Sequence, residues 1–185
     1  MNGIKNIIVQ ASWKLLEQKG IEGVTIEQLG MLTLLPEITI RKLCPTPLSI
    51  FLLMYGEIIS TVPPVTMEGL NSHDILFETI MSYLDALAPH KSAIQRFIGD
   101  LSISPCWLWD LKPYAGEWSR QKLHEAKIDT RGIIGYIRIH VFNLFCLYVL
   151  RIWAYDNTPD QDLTLTAIDQ GLRKLEDWQE MMNIF

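Results

Sequence analysis

The side chains in this sequence that could do chemistry are four histidines, three cysteines and a run of aspartates, and their spacing argues against most reactions. His73, His90, His124 and His140 form neither an H-x-x-x-H nor an H-E-x-x-H pair, the spacing that sets two imidazoles on one helix face for zinc. Cys44, Cys106 and Cys146 are odd in number, far apart and set among apolar neighbours. That pattern predicts reduced, mostly buried thiols of a cytoplasmic protein, not a disulfide framework or a zinc site. Asp156, Asp160 and Asp162 lie in a turn ahead of a helix, where capping and dipole compensation account for carboxylates. No G-x-S-x-G elbow, P-loop or G-x-G-x-x-G run is present. The expectation is a protein that binds, with no catalytic residues, no resident cofactor and no metal.

What it could bind is indicated by aromatic residues. Trp107, Trp109, Tyr114 and Trp118, with Phe142 and Phe145, could line an apolar ligand cavity, since small-molecule sites are mostly apolar with a few polar anchors. His140 and Asn143 are candidates for those anchors. Aromatics at helical spacing also make ordinary core, and buried polar groups are commonly satisfied inside the protein, so both readings stay open.

These residues have to be positioned by helices, because no strand-like alternation occurs anywhere. Ile4, Ile7, Ile8, Ala11 and Leu15 recur at helical spacing over residues 3–18, and Gly20 closes that helix. Thr25-Ile-Glu-Gln28 reads as a capping box opening a short helix from Ile26 to about Thr33. Pro36 suits the first turn of a third helix ending before Pro45, and Thr46-Pro47 repeats the cap-then-proline signal for a fourth. Leu48, Phe51, Leu52, Tyr55, Ile58 and Ile59 form its expected inner stripe. Pro63-Pro64 ends it, and Val65–Asn71 is the expected connection between domains. Ser72 caps a helix that Pro89 breaks, and His90–Leu101 resumes. Residues 103–128, punctuated by Pro105 and Pro113, predict one or two helices with a bend. A last helix carries Leu165, Ile168, Leu172, Leu175 and Trp178.

The longest element is Arg131–Tyr155, apolar nearly all round, which predicts burial on more than one side. Its longest run free of charge and histidine is about ten residues, Val141–Leu150, against about 20 for a membrane span. The expectation is therefore no transmembrane segment, but one face in the chain's own core and another against a partner. The start is not expected to be a signal peptide, because Lys5, Lys14 and Glu17 interrupt any apolar run. The net charge is −5. Residues 1–56 hold five Lys/Arg against four Asp/Glu, about +1, and the rest hold eleven against seventeen, about −6. Any nucleic-acid contact therefore belongs to the first 56 residues.

Three short helices in which a capped second leads through a turn into a third form the helix-turn-helix arrangement. Residues 11–51, from Ala11 to Phe51, resemble the N-terminal domain of the TetR family of transcriptional regulators without a gap. Ala11, Gly20, Thr25 and Thr39 fall on residues common in that family. The runs beginning LFETIMSYLDAL and RIWAYDNTPDQD are similar to TetR-type proteins of alphaproteobacteria and to the coenzyme Q accessory protein, a TetR-fold lipid binder. Leu34, Pro36, Glu37, Arg41, Cys44 and Pro47 depart from the family pattern, in place of its turn glycine, recognition-helix residues and phosphate-contacting lysine.

The resemblance implies an all-α homodimer, with a helix-turn-helix domain at 1–56 and a ligand-binding and dimerisation domain at 57–185. It implies DNA contact by Thr39, Arg41 and Lys42. Thr25 and Thr46 are read as caps, as phosphate contacts, or both. It also implies an apolar small molecule in the second domain and pairing of the last two helices with those of a second copy. The alternative is a lipid- or isoprenoid-binding module that has given up DNA.

Overall fold

The computed structural model describes residues 2–65, 69–103 and 106–182. Of the expected features, Pro105 and residues 66–68 of the inter-domain connection lie outside the described residues. The described chain is all-α, with no strand among the described residues. The helices are α1 (Asn2–Lys19), α2 (Ile26–Thr33), α3 (Glu37–Leu43), α4 (Pro47–Thr61), α5 (Ser72–Leu87), α6 (Lys91–Ile103), α7 (Cys106–Glu125), α8 (Gly132–Tyr155) and α9 (Asp162–Met182). Single 3-10 turns at Ile21–Gly23 and Ala88–His90 follow α1 and precede α6.

The chain forms two compact units: residues 1–62 with 86–111, and residues 63–85 with 112–185. This differs from the expected cut after residue 56. α4 continues to Thr61, and α6, a helix expected in the second domain, packs on α1 in the first unit. The reason lies in the turn that closes α1. Gly20 adopts φ 76°, a left-handed conformation open to glycine, and a Cβ there would collide with the Asp100 carboxylate. That carboxylate reaches back from α6 to accept the Ile21 N–H at 2.7 Å, with Arg96 3.2 Å away. Ala93, Ile94, Ile98 and Leu101 bury the matching face of α6.

Within the first unit α1 is the hub, packing on α2, α4 and α6. Ile8, Leu15 and Leu16 are buried, while Ile7, expected on the inner stripe, is exposed. On α4 the buried face is Ile50, Phe51, Met54 and Ile58, and Ile59 points to solvent. A helix apolar on every side carries no internal mark of which stripe faces inward, and tertiary packing decides.

In the second unit α8 lies against α9. Phe142, Val149 and Trp153 of α8 and Ile168 and Leu172 of α9 are buried. Gly171 allows the close approach, since a Cβ there would stand 2.1 Å from the Phe145 ring. Residues 106–125 form one helix containing Pro113. It ends in a Schellman turn: Lys127 at φ 60° donates to the His124 carbonyl and Ile128 to that of Leu123. Ser72 Oγ donates to the Ala126 carbonyl at 2.8 Å, tying α5 to that turn.

The turn between α8 and α9 is built on Asp156, only 2% exposed. Its Oδ1 accepts from the Thr158 N–H and hydroxyl at 3.0 and 2.6 Å, and its Oδ2 from those of Thr164 at 2.9 and 2.7 Å. Burial alone would raise this carboxyl's pKa, but the four donors outweigh it and hold the group far below the ordinary carboxylate range.

Candidate functional site

In the first unit α2 and α3 pack together across a short turn. Thr25 caps α2, its hydroxyl accepting from the Gln28 N–H at 3.2 Å. The expected reciprocal half of the box is not made, because the Gln28 side chain receives Lys19 Nζ instead. Thr46 makes the full box on α4: its hydroxyl accepts from Ser49 N–H at 3.2 Å and Ser49 Oγ accepts from Thr46 N–H at 3.0 Å. Both threonines are thus engaged as caps.

The turn is held by Thr33, whose hydroxyl donates to the Leu29 carbonyl at 2.6 Å and accepts from Leu35 N–H at 3.3 Å. Leu34 follows at φ 57°, ψ 20°, left-handed and 88% exposed. This is the turn conformation a glycine would take, adopted by a leucine that gains no packing for it. On α3, Ile40 is buried and Thr39 half-buried, and the outward arc is Glu37, Ile38, Arg41 and Lys42. Arg41 Nη2 lies 3.4 Å from Glu37 Oε2, both exposed, so the carboxylate screens one of the arc's two cations. Sequence reasoning missed the apolar character of this surface: Met31, Leu32, Leu34 and Ile38 are all exposed. The signal was available in the string from Met31 to Leu35, which has too many apolar residues for one buried face of a two-turn helix.

The second unit holds a half-open cavity of about 360 Å³, within the range of small-molecule sites. Its apolar wall is Leu76, Leu123, Ile128, Val141, Phe142, Leu172, Leu175 and Trp178. Ser72, His73, Arg138 and Glu176 supply its polar groups. Arg138 Nη1 donates to the Asp129 carbonyl at 2.9 Å. His73 is stacked on Phe77, with Nε2 3.5 Å from Asp169 Oδ1 and Nδ1 3.7 Å from Asp74 Oδ1.

Of the aromatic group expected to line a cavity, Phe142 alone contributes to this one. Trp107 belongs to the first unit, edge-on to Phe51 at 5.1 Å, and Trp109 of that unit is 73% exposed. Tyr114 is exposed. Trp118 stacks on Phe142, which meets Phe145. His140 lies edge-on to Tyr136 at 4.1 Å, and Oδ1 of the half-buried Asn143 accepts from the buried Ser119 Oγ at 2.6 Å. Trp107 and Trp109 fall in the first unit, and Tyr114, Trp118, Phe142 and Phe145 in the second. The walls come from α5, α8 and α9 with Leu123 and Ile128, and nothing in their sequence marks them apart from core.

Among the described residues, no three His, Cys, Asp or Glu side chains are grouped to hold a metal. Cys44 is buried and burial raises its thiol, as it does that of Cys146, while Cys106 is exposed, against expectation.

α8 presents a second surface. Ile133, Ile137, Leu144, Tyr148 and Tyr155 repeat at intervals of four and seven and all face outward, Ile133 at 81% and Leu144 at 68% exposure. By length and composition the helix could cross a membrane, its most apolar 18-residue window having a mean hydropathy of 1.8. The expectation of no spanning segment rested on the interrupting charges, and average composition does not repeat that exclusion. Compared by sequence, the chain matches no protein-family model and no curated protein.

Proposed function

We propose that this chain is a TetR-like transcriptional regulator, its first unit offered to DNA and its second responding to an apolar small molecule. The observation that carries the reading is the pair α2–α3, joined through a left-handed turn at Leu34, with α3 turning Ile38, Arg41 and Lys42 outward. The cavity of about 360 Å³ supports the second half, being mostly apolar with a few polar groups at its wall. Two copies pair through the outward stripe of α8 and through α9, burying about 800 Å² on each, the common scale for stable interfaces. A ligand acts only by binding more tightly to one arrangement of the two heads than to the other. The site of action is the cytoplasm.

Fluorescence anisotropy with random duplex DNA tests the reading. Weak binding that strengthens steeply as salt is lowered is the expected result, because phosphate neutralisation releases counterions. No binding even at low salt removes the regulator.

A second reading is a lipid- or isoprenoid-carrying module without DNA binding. The Glu37 carboxylate beside Arg41 favours it, as does Pro47 at the first position of α4, where neither a cation nor a backbone N–H is available for phosphate. Apolar molecules retained through purification and detected by native mass spectrometry, together with absent DNA binding, would select this reading.

A further inference from the structure

The outward arc of α3 spans roughly 140° when residues advance about 100° each. Glu37 and Lys42 stand at its margins, with Ile38 and Arg41 between them. Ile38 is the second residue of the helix and 64% exposed, in the N-terminal part that meets base edges when such a helix enters a major groove. An isoleucine offers no donor and no acceptor. Facing a G·C pair it would strip water from N7, O6 and N4 and return no hydrogen bond. The one feature of the major groove that aliphatic carbon matches is the thymine C5-methyl. Arg41, the neighbouring residue on the arc, holds Nη2 3.4 Å from Glu37 Oε2, so its charge is already partly screened. Leu34 and Met31 extend the same chemistry onto the turn and the end of α2.

We infer that Ile38 is a specificity-determining residue reading a thymine methyl, so the preferred DNA is a duplex with thymine at that position of each half-site. This rests on the regulator reading above and names the class of site it requires.

The test uses the full chain. Duplexes are selected from a random pool at low salt, and the thymines of the winning sequence are replaced one at a time by deoxyuridine, which removes only the methyl. At one position per half-site the replacement should weaken binding about fourfold, the equivalent of one buried methylene. Ile38→Ala, at an exposed site where the fold is unaffected by circular dichroism, should bind thymine and deoxyuridine duplexes equally. Selection of a defined sequence with no deoxyuridine effect at any position overturns the inference and leaves the regulator standing. An undiminished deoxyuridine effect in Ile38→Ala also overturns it, because another residue then reads the methyl. Failure to select or bind any duplex overturns both.

Discussion

Replacing Asp156 by asparagine should destabilise the second unit by about 2–4 kcal/mol near neutral pH. The carboxylate accepts four hydrogen bonds, two of them from the backbone N–H groups of Thr158 and Thr164, at 2% exposure. An amide keeps one oxygen and turns an NH₂ toward the other pair. The threonine hydroxyl can rotate to accept from it, but the backbone N–H cannot, and an orphaned buried donor costs about 1–3 kcal/mol. The surviving bonds lose their charge assistance, which adds about 1 kcal/mol more. The sign of the pH effect follows from the depressed carboxyl. Its contribution is fully present above the unfolded-state value of about 4 and is lost as pH falls through the lower folded-state value. Urea unfolding followed by circular dichroism at a series of pH values reads both effects. The gap between wild type and Asp156→Asn should be constant from about pH 7 to 5 and narrow below about 4. A gap under about 0.5 kcal/mol, or one that widens in acid, would refute the argument.

Three further outcomes are expected. Leu34→Gly should stabilise the first unit by about 0.5–1 kcal/mol: relief of left-handed strain is about 1–2 kcal/mol and the added unfolded-chain entropy about 0.5–1. Leu34→Val should do the reverse, both read by urea midpoints. Gly171→Ala drives a Cβ into the Phe145 ring and should cost about 1–3 kcal/mol in thermal unfolding. Leu144→Glu with Tyr148→Lys places charges on the outward stripe of α8 and should yield monomers in light scattering, with helix content unchanged, if the wild type pairs there.

How much of this was legible in advance depends on whether a signal is local. α2 was readable because Thr25 and its apolar run lie within one turn of each other, and Thr46-Pro47 opened α4 for the same reason. The dedication of α6 to the first unit was not readable, since its cause is the Asp100 carboxylate meeting the Ile21 N–H from 79 residues away. Leu34 stood where a glycine was wanted, and from sequence the choice lay between a different turn and a strained one; the chain takes the strained one. Likewise the cavity needed His73, Phe142 and Trp178 to come together from three helices far apart in the chain.

The seam between α1 and α6 bears on how this protein can be dissected. A fragment ending at Val62 would retain α1 to α4, yet it would lack the helix that packs on α1 and closes the Gly20 corner. Such a stub should expose oily surface and aggregate. The head is therefore not a detachable cassette: grafting it elsewhere would mean carrying along residues 86–111, from the middle of the chain, to fill the groove they occupy.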